Sequence, residues 1–304
     1  MWNGSYSSVC GRENMIDFKN GTDLLRLCGT RHLAISEIMK ARECDLAETT
    51  EPEVTAKMKK VLEIMKRSAK TPIEQPRPSM GGLIGGEAQL VNRHLLAGKS
   101  LCGSLLSRAI SYSLAVLESN SSMGLIVAAP TAGSSGVVPG VLLSLQEEYG
   151  LSDDALLPAL FNASAVGYLA MRNATVAGAV GGCQAEVGVA SAMAASAAVE
   201  LMGGSPGQCL DSASTALMNL LGLVCDPVGG LVECPCQLRN TVGAANALTA
   251  AELALSGVRQ LIPFDEMLET MHSVGRRMAP ELRETARGGC AATPSGCAAC
   301  SAKR

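Results

Sequence analysis

Charge is spread so unevenly along these 304 residues that the middle of the chain must become an interior. The first 70 residues hold 22 of the 53 charged side chains, whereas the 107 residues from Ser119 to Cys225 hold eight. A stretch so poor in charge is satisfied only inside a folded core or inside a bilayer. Its longest uncharged run, Ser119 to Gln146, exceeds a membrane span in length. Pro130, Pro139, Gly133, Gly136, Gly140 and a cluster of Ser and Thr interrupt that run, so it lacks the continuous apolar helix a bilayer requires. We therefore expect a buried core and no membrane segment.

Helical periodicity is frequent and strand alternation scarce, so the expected class is mostly α. Thr50 followed by Pro52 and Glu53 predicts a helix start, after which Val54, Met58, Val61, Leu62 and Met65 share a face, with Lys57, Lys59, Lys60 and Lys66 mostly opposite. Ser205 and Pro206 open a second helix with Leu210, Leu217, Leu220, Leu221 and Val224 as its apolar positions, and Asp226-Pro227 ends it. Gln237 to Ser256 reads as a third, stopped by Gly257, and Pro263 opens a fourth whose face is Phe264, Met267, Leu268, Met271 and Val274. Gly188 to Val199, rich in Ala and Ser, predicts a helix of very small side chains. Such helices approach one another closely, which suits a dense core in a chain with only eight aromatic residues. The turn-rich stretch Thr71 to Gly86 reads as a linker or an active-site loop. It divides a charged N-terminal helical region, 1–75, from a helical domain, 76–304, the two forming one continuous domain.

A net charge of −3 gives no pull toward nucleic acid, so small-molecule chemistry is the better expectation. Twelve cysteines are many for a chain whose first twenty residues show no apolar leader. A reduced, cytoplasmic setting follows as the expectation, in which free thiols are either buried packing or metal ligands. Four of them lie near inferred helix ends. Cys183 follows Gly181-Gly182 at the head of the Ala-rich helix, where unpaired backbone N–H groups favour a thiolate. Cys225 precedes Asp226-Pro227 at the end of its helix, and Cys234-Pro235-Cys236 precedes the next one. Three Gly- or Pro-hinged turns thus present thiols, an arrangement able to surround one compact inorganic cluster. Zinc is the rival ion, although His32, His94 and His272 stand at no finger spacing from these cysteines, and the Cys297/Cys300 pair has no second pair nearby.

Three longer stretches carry a likeness. Ala129-Pro-Thr-Ala-Gly-Ser-Ser-Gly-Val-Val-Pro-Gly140, Gly178-Ala-Val-Gly-Gly-Cys-Gln-Ala-Glu-Val-Gly188 and Leu221-Gly-Leu-Val-Cys-Asp-Pro-Val-Gly-Gly-Leu-Val-Glu233 resemble the iron-sulfur-dependent L-serine dehydratases. Cys236-Gln-Leu-Arg-Asn240 and Arg283 to Gly296 continue the match, which runs from about Gly81 to Gly296. The chain most resembles the separate α subunit of the two-subunit form.

The resemblance implies a compact helical domain whose Gly/Pro-rich active-site loops surround a 4Fe-4S cluster, with Cys183, Cys225 and Cys236 as its ligands. It implies dehydration of L-serine to pyruvate and ammonia, without pyridoxal phosphate, and a separate β subunit that completes the site and carries the general base if this chain does not. Cys10, Cys28, Cys44, Cys102, Cys209 and Cys290 are left as packing residues. In some single-chain relatives a C-terminal cysteine caps the fourth iron; Cys297 and Cys300 lie near that position, but the ending Ser301-Ala-Lys-Arg304 departs from it. Thr131, Ser134 and Ser135, beside glycines that permit close backbone approach, are candidates for binding the substrate carboxylate, or else form an ordinary Gly-rich turn. Ser79-Met-Gly-Gly82 is a second such loop, and Arg239 and Asn240 either bind the carboxylate or cap a helix. The alternatives are a related hydro-lyase acting on threonine or another β-hydroxy acid, and a non-enzymatic iron-sulfur scaffold or sensor.

Overall fold

A computed structural model describes residues 16–301. Cys10, assigned to packing above, lies outside them. The described residues contain thirteen α-helices and no β-strand. In chain order these are α1 (Gly21–Arg31), α2 (Ile35–Ala47), α3 (Glu51–Glu74), α4 (Glu87–Leu96), α5 (Gly103–Ser121), α6 (Val137–Tyr149) and α7 (Asp153–Asn173). There follow α8 (Gly178–Gly181), α9 (Val189–Leu201), α10 (Pro206–Asn219), α11 (Cys236–Leu255), α12 (Phe264–Arg277) and α13 (Pro294–Ser301). The mostly α expectation holds.

Helix α9 is the axis of the core. Every residue from Val189 to Val199 is buried, and α6, α7, α10 and α11 all pack on it. A helix with no polar face has to be enclosed on all sides, and alanines and serines let four neighbours do so at short range. Ser191 and Ser196 keep their hydroxyls satisfied by donating to Gly243 O and Asn162 Oδ1. The uncharged run 119–146 divides into the end of α5, a connecting loop and α6. Helix α7 has the length and hydropathy of a membrane span, with 67% of that window buried inside the protein.

Two helix ends differ from their expected places. Helix α3 does not stop at the turn-rich stretch but continues through Pro72 to Glu74. Proline inside a helix strips the carbonyl four residues earlier of its donor, here Ser68 O. The Ser119 hydroxyl on α5 donates to that oxygen at 2.8 Å, so the carbonyl is satisfied by a neighbouring helix. Helix α10 opens as expected on the Ser205 capping box but ends at Asn219, well before Asp226-Pro227. Gly222 at φ +87° carries the chain out of it, so Leu221 and Val224 lie beyond the helix. Cys225 therefore sits in extended chain, bridged in parallel to Arg283. Its N–H donates to Leu282 O (2.9 Å), and its carbonyl accepts from Glu284 N (2.7 Å). Helices α11 and α12 fall within a residue of their expected starts.

Candidate functional site

Three turns converge at one end of α9. Gly182, at φ +73°, swings the chain from α8 into a π-helical turn, Gln184–Gly188, that runs on as α9. A Cβ there would meet Met278 Sδ at 2.7 Å and Leu223 O at 2.8 Å, so only glycine fits. Cys183 caps this turn, and Gln184 N donates to Leu223 O (3.0 Å), tying it to the segment that leads into Cys225. Cys236 begins α11 directly after a cis Cys234–Pro235 bond. Cys183, Cys225 and Cys236 are all buried, while Cys234 is half-buried.

Cys183, Glu186 and Cys225 place their ligand atoms within 4.8 Å of one another. Cys236 faces the same group: burial first, then the nearby Cys183 and Glu186, push its thiol up to about 12. The Cys225 thiol is raised further, chiefly by its hydrogen bond with Cys183 and by burial. Glu186 is also held above the ordinary carboxylate range by burial, against the opposing pull of the Thr131 hydroxyl. The donor set is rich in soft, protonated thiols and short of positive charge. Among the described residues Arg239 approaches the thiols, its Nη1 at 3.8 Å from Cys183 Sγ, and that nitrogen already donates to Asp226 Oδ1 (2.5 Å) and Val224 O (2.8 Å). Buried thiols that resist ionisation alone become good ligands once a cation replaces their protons, so these residues fit a thiophilic metal group.

Around the thiols stand two loops. In the first, Thr131 Oγ1 donates to Glu186 Oε1 (2.8 Å) and lies 3.1 Å from Ser134 Oγ. Ser134 and Ser135 are fully buried, and Ser135 Oγ donates to Ala132 O (2.8 Å). Asn240 clamps the loop from α11. Its Nδ2 donates to Gly133 O (2.8 Å) and Cys236 O (2.9 Å), and its Oδ1 accepts from Gly136 N (3.0 Å). The second loop, 79–83, is gathered by Glu233, which accepts from Ser79 Oγ (2.7 Å), Gly81 N (2.6 Å) and Leu83 N (2.9 Å).

The structure thus brings Thr131, Cys183, Cys225, Cys236 and Arg239 to one site, while Asn240, Ser134 and Ser135 hold the loop in place. Cys300 Sγ lies 3.2 Å from where a Gly229 side chain would begin, and Cys297 Sγ contacts Ala291 O at 3.6 Å. His32 is the exposed C-cap of α1, His94 is exposed in the last turn of α4, and His272 lies on α12. Sequence reasoning passed over three acidic residues: Glu186, Asp226 and Glu233. Asp226 is 2% exposed and joins Arg239 to Cys290 N (2.6 Å), locking the 289–292 turn to the site. A signal for Glu186 existed, because it is the only charged residue between Arg172 and Glu200.

Residues 30–291 match the family model described as serine dehydratase alpha chain. The chain is 43% identical over 279 residues to a probable L-serine dehydratase, alpha chain, of Bacillus subtilis (strain 168), covering 92% of this chain and 93% of that protein. It is 41% identical over 274 residues to the L-serine dehydratase, alpha chain, of Peptoniphilus asaccharolyticus, covering 90% and 94%. With an L-serine dehydratase of Helicobacter pylori (strain ATCC 700392 / 26695) it is 36% identical over 283 residues, which span 91% of this chain but 62% of that protein.

Proposed function

The chain belongs to the serine dehydratase alpha-chain family, and on that premise we propose that it is the α subunit of an L-serine dehydratase, a lyase forming pyruvate and ammonia. The observation that carries the proposal is the convergence of buried thiols beside a hydroxyl-bearing loop, in a chain alike over nine-tenths of its length to proteins of that name. Cys183, Cys225 and Cys236 would hold a 4Fe-4S cluster. When bound, the cluster supplies a Lewis acid, because three protein thiolates leave one iron without a cysteine ligand.

The rest of the work falls to side chains. Thr131 fixes the Glu186 carboxylate through its hydroxyl, so the donor group keeps one orientation. Arg239 brings positive charge beside Cys183, where it draws a carboxylate substrate inward. Asn240 and Glu233 accept from backbone N–H groups of the two loops, so the loops are held in place and need not reorganise during reaction. Loss of the α proton and of the hydroxyl yields an enamine, which tautomerises and hydrolyses to pyruvate and ammonia. The sequence changes no net oxidation state, so it needs no electron acceptor.

The Helicobacter relative is matched over only 62% of its length, which supports a partner chain supplying the remainder, the β subunit. We place both in the cytoplasm, where the exposed and half-buried thiols stay reduced. The test is anaerobic co-expression of the two chains with iron and sulfide analysis and a pyruvate assay on L-serine. Turnover with iron and sulfide present, both lost in Cys225→Ala, is the expected result. Zinc without iron or sulfide, or iron without turnover, would reject the proposal.

A further inference from the structure

We propose that the Glu186 carboxylate is a protein ligand of the metal centre in the substrate-free enzyme, completing from within the chain the coordination that three thiolates leave short. The inference rests on the function proposed above and adds an oxygen donor to its thiol set.

Position is the first argument. A carboxylate oxygen of Glu186 lies in the same 4.8 Å group as Cys183 Sγ and Cys225 Sγ, and its Oε2 is 3.8 Å from Cys225 Sγ. The backbone is cleared for that oxygen: a Cβ on Gly178 would stand 2.4 Å from Oε2 and 3.1 Å from Cys225 Sγ. The residue belongs to the π-helical turn, a local widening of the helix that occurs disproportionately at functional sites.

Charge is the second. Among the described residues no ion pair reaches Glu186; its hydrogen-bond partners are a hydroxyl and a thiol, and Glu284 repels it. A half-buried carboxylate beside two buried thiols, with no cation paired to it, is costly unless a cation joins them. The two oxygens are also divided in role. Thr131 holds Oε1 at 2.8 Å, which leaves Oε2 turned toward Cys225. Thr131 is on this view a positioning residue that acts through Glu186. The tail thiols are directed elsewhere, Cys300 against Gly229 and Cys297 against Ala291 O.

The experiment uses the two-chain enzyme, reconstituted anaerobically with 57Fe and sulfide, and reads iron content and the Mössbauer spectrum without serine. Wild type should show one iron subsite with the signature of an oxygen ligand. Glu186→Gln should alter that subsite alone or lose about one iron in four, Thr131→Val should perturb it and Thr131→Ser restore it, while Cys297→Ser and Cys300→Ser leave it unchanged. A full iron complement and an unaltered spectrum in Glu186→Gln would overturn the inference, as would a change produced by a tail cysteine variant instead. If wild type itself binds zinc and no sulfide, the functional reading fails rather than this addition to it.

Discussion

Replacing Asn240 by alanine tests whether the loop beside the thiols is held by one side chain. Asn240 is fully buried and bonds three backbone groups on two elements. Losing the bond to Cys236 O costs little, because that carbonyl lies in the first turn of α11 and has the helix amide to accept from. Gly133 O and Gly136 N are left without that bond; the buried Gly136 N costs about 1–3 kcal/mol when orphaned, and the half-buried Gly133 O about 1–2 kcal/mol. Alanine returns roughly 0.5 kcal/mol through its better helix propensity. The net expectation is a loss of about 3 kcal/mol in urea unfolding of the anaerobically purified protein. Turnover should fall as well, since Thr131 would no longer hold Glu186 in one orientation. Thr241→Ala, one residue on, removes only a bond to Leu238 O within the same helix and should stay within about 0.5 kcal/mol of wild type. Equal stabilities for the two variants would refute the clamp.

Three further outcomes follow from particular contacts. Ser119→Ala should cost about 1–2 kcal/mol by stranding Ser68 O, and most of that cost should vanish in a Pro72→Ala background, where the restored amide reaches the same carbonyl; an additive double-mutant cycle would count against the account. Buried Glu118 accepts from Ala88 N and Gln237 Nε2, and burial together with neighbouring Glu87 raises its pKa, so its protonated form is the one the fold prefers. Its contribution is then complete at low pH and lost as pH rises through the raised value; Glu118→Gln should gain stability relative to wild type as pH climbs above the ordinary carboxylate range, and a pH-independent difference would contradict this. Gly178→Ala, which drives a methyl group onto Glu186 Oε2, should lower iron content without unfolding the helices, as read by metal analysis alongside circular dichroism.

Helices α9, α11 and α12 were legible in the sequence because their signals are local: small-residue content, period and bounding Gly or Pro. The path of the chain around Cys225 was not. What ends α10 is a left-handed glycine three residues before the cysteine, and what shapes the next turn is pairing with Leu282–Glu284, a contact no window of periodicity contains. Pro72 misled for a similar reason, since the hydroxyl that rescues its helix belongs to another helix 51 residues away. The thiols drew attention by residue type. The carboxylates that organise them did not: Asp226 and Glu233 look like ordinary polar residues in a Gly-rich turn until their partners are seen, and Glu186 showed itself only as a lone charge in an apolar stretch.

The bridge between Cys225 and Arg283 has a consequence in time. The segment that fixes Cys225 is made 58 residues after it, and at translation rates of about 5–20 residues per second that is an interval on the order of 3–12 seconds. Through that interval the nascent chain carries Cys183, Cys225 and Cys236 without the segment that aligns one of them. On the proposed ligand set, delivery of a cofactor to all three at once has to wait until residues 282–284 have been made and have left the ribosome.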